Sequence, residues 1–336
     1  MPSNDATSPE PALPDPSETR DRIASPAPGL RTLLHSLRPP RRQVAPAVLY
    51  VHGATFPSAL SVAHRFGPGP SGRSWRDALC AAGFEVWGLD FLGYGGSDRW
   101  PAMAGPAGAA PAPGAVEDAA AQLVLALEHI RAVRGGGPVS VLAHSWGTMP
   151  ACRAAGDRPE LVDRLALFGA IAPRAAAGQT PSASFPAWRE VTVEQQRARF
   201  VADVPPGEPA VLDAEAFADW GERYLDSDPG SRSRRPPAVR IPAGPAADIA
   251  RAWRGEWCYD PARVRAPVAV LRGEWDSLTT DADAATLLAA MTAAPERRDV
   301  RLARGTHLMH LETGRAALHA ASIAFLMGQA ASSSTR

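Results

Sequence analysis

Three residues of this 336-residue chain, Ser145, Asp276 and His307, have the types and the order that nucleophilic acyl chemistry requires. A serine hydroxyl attacks poorly until a neighbouring base takes its proton, and the base works best when an acid orients it and stabilises its charged form. Ser145 stands in Ala143-His144-Ser145-Trp146-Gly147, with a small residue two before it and another two after. That spacing suits a sharp strand-to-helix turn, where a strained backbone presents the hydroxyl and passes close to its neighbours. Ser145 is the one serine in the chain with glycine at the second following position. Asp276 follows an apolar run in Arg272-Gly273-Glu274-Trp275-Asp276-Ser277, and His307 follows another in Gly305-Thr306-His307.

Each partner has a competitor. Glu274 is a second candidate for the acid, although it stands closer to the preceding strand, and Asp276 is favoured. His310 lies one helical turn beyond His307 and could face the same site; the Gly305-Thr306 pair favours His307 as the loop residue. His144 reads as packing or hydrogen-bonding support for the turn. Acyl chemistry also needs donors aimed at a developing oxyanion. The backbone N–H of Ala54, in the small-residue turn His52-Gly53-Ala54-Thr55, is one candidate. The N–H of Trp146 is the other, at a helix start where the dipole adds favourable potential.

The elements that must position these residues are visible as apolar runs at 47–51, 84–89, 139–143, 165–168, 268–271 and 300–302. Helical spacing covers 73–82, closed by Gly83, then 116–133, the stretch from Ser145 to about 155, 282–292 and 313–327. Strands alternating with helices of this length predict βαβ units and a parallel sheet, hence the α/β class. The alternation stops between 173 and 259. That stretch holds Phe185, Trp188, Phe200, Phe217, Trp220, Tyr224, Trp253 and Trp257, two helices at 193–201 and 213–225, and an Arg/Pro/Ser-rich loop at 227–245. It reads as an insertion or lid whose aromatic rings favour an apolar or aromatic substrate group. The core then comprises 28–172 and 260–330. Residues 1–27, rich in proline and poor in large apolar groups, are expected to be disordered, and 331–336 to be a flexible tail.

Composition narrows the partners. The 35 basic residues are all arginine, balance 35 acidic ones and are scattered among them, which argues against a nucleic-acid or anionic-surface partner. Cys80, Cys152 and Cys258 are far apart and lack ligand spacing, so neither a disulfide framework nor a zinc site is indicated. No apolar run reaches 18 residues and no basic start precedes an apolar stretch. The expectation is a cytoplasmic protein with no membrane partner, acting on a small molecule without metal or cofactor.

Five segments, His52-Gly53-Ala54, Asp90-Phe91-Leu92-Gly93-Tyr94-Gly95-Gly96-Ser97-Asp98, Ala143-His144-Ser145-Trp146-Gly147, Gly273-Glu274-Trp275-Asp276 and Gly305-Thr306-His307, together resemble the α/β-hydrolase superfamily over roughly residues 45 to 328. The loop from Asp90 to Asp98 is similar to the Asp-x-x-Gly-x-Gly-x-Ser segment of its single-domain esterase, C–C hydrolase and haloperoxidase-like branches. The resemblance implies a doubly wound, mostly parallel eight-stranded sheet with helices on both faces and a lid inserted after strand six. Ala143 departs from the commoner glycine, and serine rather than aspartate at 145 argues against epoxide hydrolase or haloalkane dehalogenase chemistry. The implied activity is hydrolysis of a carboxylic ester through an acyl-enzyme. Lactone, thioester or C–C cleavage, acyl transfer and non-catalytic ligand binding on the same fold stay open as alternatives.

Overall fold

The computed structural model describes residues 18–39, 45–67, 72–174 and 184–329. Ten strands are found among them: β1 (Glu18–Ala24), β2 (Arg31–Leu37), β3 (Ala47–Val51), β4 (Glu85–Asp90), β5 (Val139–His144), β6 (Val162–Phe168), β7 (Trp188–Val191), β8 (Val239–Pro242), β9 (Val268–Gly273) and β10 (Arg297–Leu302). Eight form one sheet in the order β1-β2-β4-β3-β5-β6-β9-β10, while β7 and β8 pair separately. Strand β2 runs antiparallel to both of its neighbours, and the other pairings in the large sheet are parallel.

The continuous apolar runs are explained by a sheet buried on both faces. Val48, Tyr50, Leu142, Phe168 and Leu271 enter one core, shared with α1 (Trp75–Ala81) and α8 (Arg315–Leu326). Their sequence neighbours Leu49, Val51, Val141, Leu167 and Val270 point the other way. There they pack with α2 (Val116–Arg134), α3 (Thr148–Asp157) and α7 (Asp281–Ala290). Local chemistry sets the helix ends: Ser74 and Asp77 form a capping box at the start of α1, and Gly83, at φ +96°, lets the chain turn directly into β4.

Two expectations are corrected. Residues 18–24 are not disordered; they form the edge strand β1, in register with β2 from Glu18 opposite Leu37 to Ala24 opposite Arg31. Half-exposed on both faces and rich in charge, β1 carries no apolar run that could announce it. Residues 1–17 and the expected tail, 331–336, lie outside the described residues. Within 173–259 the two expected helices are present as α4 (Val193–Val201) and α5 (Ala214–Asp226). The expected 227–245 loop is not all loop: it holds β8, which pairs with β7 in a small antiparallel sheet, and a third helix, α6 (Gly244–Ala252), opened by Pro245, begins at its end. Strands of four residues each, paired across some fifty positions, leave too short a pattern to read locally.

Because β3, β5, β6, β9 and β10 are parallel, their carboxyl ends open onto one edge, where the chain segments holding Gly53, Ser145, Gly169, Asp276 and His307 converge. Among the described residues no helix is long and apolar enough to cross a membrane. The loops after β9 and β10 touch through backbone: a Cβ on Gly273 would lie 2.1 Å from the carbonyl oxygen of Gly305. Gly273→Ala is therefore expected to lower stability by about 1–3 kcal/mol, the range for overpacking. An unchanged denaturant midpoint would show that the two loops are not so tightly apposed.

Candidate active site

Strand β5 delivers Ser145 into a left-handed backbone conformation, φ +56°, which non-glycine residues adopt only under constraint. The constraint is the chain around it. A Cβ at Gly147 would fall 2.3 Å from the carbonyl oxygen of His52, so only glycine lets the following helix approach β3 this closely. A Cβ at Gly53 would lie 3.1 Å from the Ser145 Cβ, which places the turn after β3 directly against the hydroxyl-bearing residue. Ala143 is fully buried in the core, so the sheet accommodates its methyl group where glycine is commoner.

The three residues singled out by type and order meet here. Ser145 Oγ lies 2.8 Å from His307 Nε2, and His307 Nδ1 lies 3.0 Å from each Asp276 carboxylate oxygen. All three are almost fully buried. Burial pushes the Asp276 carboxyl up, but the charge and hydrogen bond of His307, with N–H donors from Leu278 and Thr279, hold it below its ordinary value. Gly169 at the end of β6 makes room for the pair: its φ is +61°, and a Cβ there would lie 2.8 Å from the imidazole.

The competitors are placed elsewhere. Glu274 accepts from the Arg304 N–H and pairs with Arg301, away from the histidine. His310 does not hydrogen-bond Ser145, since neither of its ring nitrogens has a partner among the described residues; its ring packs among His144, Phe168 and Phe56. His144 stacks on Phe168 and its Nε2 lies 3.1 Å from the His307 carbonyl oxygen, which braces the loop carrying that histidine. Burial and the neighbouring histidines hold His144 and His310 well below the usual imidazole value, leaving both neutral.

The Asp90–Asp98 loop is structural. The Asp90 carboxylate accepts from the Ser58 and Gly96 amides, and Asp98 accepts from the Arg31 amide, tying the loop to β2. Of the two residues singled out for oxyanion donors, one adjoins the serine in the chain and the other follows Gly53, which packs on it. Trp146 belongs to the first helical turn after it, where N–H groups lack intrahelical partners. Ala54 follows Gly53, and its carbonyl is held by the Tyr94 hydroxyl at 2.7 Å. The Trp146 indole donates to Asp248 on α6, and the same carboxylate oxygen accepts from Val116 at the start of α2. Among the described residues, no group of three or more His, Cys, Asp or Glu is arranged to hold a metal ion.

Helix α4 spans from one loop of the site to another. Arg199 donates to Thr55 Oγ1 at 2.7 Å, and Asp203, just past the helix, accepts from the Ser277 amide. The aromatic rings of this segment behave differently from expectation. Phe200, Phe217, Trp220 and Tyr224 stack on one another and on Phe56, so they form the segment's own core. That withdraws the support they lent to an apolar substrate. Arg199 was not singled out from the sequence, and only the fold brings it to the site; Glu312 was not singled out either, although its place shortly after His307 in the chain was the available signal.

Glu312 accepts from the Thr306 amide and hydroxyl behind His307. Burial pushes its carboxyl up to about 7 in spite of these bonds. A folded value above the ordinary 4.5 means that Glu312 contributes stability below 4.5 which is lost as pH rises through about 7. Glu312→Gln should therefore flatten the fall in denaturant midpoint across that window. An equally steep fall in the variant would contradict this placement of Glu312.

A model of the α/β hydrolase fold family matches residues 46–313. Comparison with curated proteins by sequence finds no match. Among solved structures, the chain is similar to the thioesterase domain from the curacin biosynthetic pathway, with 17% identity and a TM-score of 0.58, covering 91% of this chain and 99% of that one. It is also similar to the monoacylglycerol lipase of Paleococcus ferrophilus, at 19% identity and TM-score 0.51, covering 94% and 100%. A third is epoxide hydrolase A of Mycobacterium thermoresistibile, at 18% and 0.57, covering 93% and 99%. At these identities the likeness is one of fold. With the family model spanning most of the chain, and the sheet order and site-bearing loops described above, the protein belongs to the α/β-hydrolase fold family.

Proposed function

We propose that the protein is a serine hydrolase that cleaves a carboxylic ester of a small molecule through an acyl-enzyme. One observation carries the reading: the unbroken hydrogen-bonded series from Ser145 Oγ through His307 to Asp276. In the first half-reaction, His307 Nε2 takes the Ser145 proton as Oγ attacks the ester carbonyl. The tetrahedral oxyanion is held by the Ala54 and Trp146 amides, and Asp276 stabilises the imidazolium that forms. His307 then protonates the departing alcohol. In the second half-reaction, water loses a proton to His307 and attacks the acyl carbonyl, releasing the acid and restoring Ser145. Every proton and electron pair is accounted for by these side chains and water, so the chemistry calls for no cofactor.

The hydroxyl nucleophile sets this reading apart from epoxide opening by a carboxylate, since position 145 offers an alcohol and the acid of the series, Asp276, is engaged by His307. Residues 173–259 act in this reading as a lid. The bonds from Arg199 to Thr55 and from Asp203 to Ser277 support this, because they fasten α4 across the site.

Turnover of a short-chain p-nitrophenyl ester tests the reading. Ser145→Ala and His307→Ala should each lower kcat by about 10⁴-fold or more, and the double variant should be no worse than the singles, because the residues act as a unit. Either single variant retaining wild-type turnover would overturn the assignment, and additive losses would contradict the shared proton transfer.

A further inference from the structure

Trp146 follows Ser145 directly, and its amide is one of the two expected oxyanion donors. The side chain of this residue is as constrained as its backbone. It is almost fully buried, and its ring meets Phe91 in a T-shaped contact with centroids 5.6 Å apart. The far end of the ring is anchored as well, since the indole Nε1 donates to Asp248 Oδ2 at 3.0 Å. The same oxygen accepts from the Val116 amide at 2.8 Å. Helix α2 needs that acceptor, because Ala115 at its N-cap has no side-chain oxygen to offer.

Asp248 reaches the indole from α6, in the 173–259 segment, and backbone contact fixes where that helix starts. The Gly244 amide donates to the Pro113 carbonyl, and a Cβ on Gly244 would lie 2.4 Å from that oxygen and 2.6 Å from the Ala115 nitrogen. Only glycine lets the first turn of α6 rest on the turn that precedes α2. Asp248, one turn further on, is carried in to the indole and is itself almost fully buried. Burial pushes its carboxyl up to about 7; the Trp146 and Val116 bonds and the charge of Arg251 on α6 oppose this, while Glu117 on α2 adds to it. Arg251 stands 3.6 Å from Oδ1 and is bonded to Glu256. Near neutral pH the group is therefore partly a neutral acid, with Oδ2 accepting both N–H bonds. An acceptor oxygen in that place matters more than a full charge.

The rings beyond Trp146 lead to the other expected oxyanion donor. The Phe91 amide donates to His52 Nε2, the His52 ring packs on Tyr94 at 4.7 Å, and the Tyr94 hydroxyl holds the Ala54 carbonyl. Both amides thus share one packed support, and Asp248 fixes one end of it.

We propose that Asp248 is a positioning residue for the oxyanion site: by holding the Trp146 indole, it sets the orientation of the Trp146 amide beside Ser145. Donors serve a developing charge only when held to within about 0.5 Å of their productive place. A ring hydrogen-bonded at its far end cannot turn and draw its backbone with it. The consequence for turnover rests on the hydrolase reading, whereas the orientation of the amide does not.

Two measurements test this, one on activity and one on the amide. In p-nitrophenyl ester turnover, Asp248→Ala should lower kcat by about 10-fold or more with KM little changed, since the amide acts on the transition state. Asp248→Asn keeps an acceptor oxygen and should restore most of that loss. Trp146→Phe removes the indole N–H but leaves the bond from Val116 to Asp248 in place. It should lower kcat as Asp248→Ala does, and the double variant should be no worse than the poorer single one. Wild-type kcat in Trp146→Phe would make Asp248 a helix cap alone and overturn the proposal, as would equal losses in Asp248→Asn and Asp248→Ala. In protein labelled with 15N-tryptophan, the Trp146 backbone signal is the one missing from Trp146→Phe. It should move in Asp248→Ala and stay near its wild-type position in Asp248→Asn; a signal unmoved in Asp248→Ala would also overturn the proposal. If the wild type cleaves no ester in a panel, the hydrolase reading fails, and the amide signal alone decides whether Asp248 positions Trp146.

Discussion

The left-handed backbone at Ser145 is the constraint on which the site depends. A single non-glycine residue at φ +56° costs on the order of 1–3 kcal/mol, and the surrounding structure must impose it. It does so by backbone proximity. With no side chain on Gly147, the helix start lies against the His52 carbonyl, and β5 and β3 are hydrogen-bonded neighbours up to that point. The same closeness puts the Gly53–Ala54 turn against the serine, so the strained turn and the expected oxyanion donors share one packing arrangement. The loops after β9 and β10 follow the same rule, since Gly273 and Gly169 remove side chains where His307 and its supporting backbone must pass.

Around this frame the buried polar groups divide into two kinds. His307 is bonded on both ring nitrogens, to Ser145 and to Asp276, so its orientation is fixed and its tautomer is dictated by the carboxylate. His144 and His310, packed beside it, are held neutral by burial and by the charges of neighbouring groups, His307 among them. Their charge would compete with the imidazolium that acyl transfer requires. Two carboxyls near the site, Glu312 behind Thr306 and Asp248 under Trp146, are both pushed up to about 7 by burial. Asp276, by contrast, is held below its ordinary value by His307 and the Leu278 and Thr279 amides, so it is the carboxylate of the site that stays charged.

Much of this was legible in the chain because the chemistry sits where regular elements end. Ser145, Asp276 and His307 each follow an apolar run, and in a parallel sheet such positions are brought together by topology alone. The six runs read as strands are present, and the choice of His307 over His310 follows from its place in the loop before the last helix. What was not legible depends on contacts between distant segments. Strand β1 has a charged, half-exposed pattern and exists because β2 offers it a ladder. Strands β7 and β8 are four residues each and define a face only when paired. Arg199 looks like one of many arginines in the sequence; only the fold sets it on Thr55, beside the turn that packs on Ser145. The aromatic residues misled for a related reason, since ring content says nothing about whether rings face a ligand or one another.

The central claim is that Ser145 becomes covalently acylated. Mass spectrometry on protein quenched during turnover of a slow ester measures this directly, with the modified peptide mapped by fragmentation. The account predicts a mass increase equal to the acyl group, located on Ser145 and absent from Ser145→Ala. An acyl adduct on another residue, or one that persists in Ser145→Ala, would contradict it.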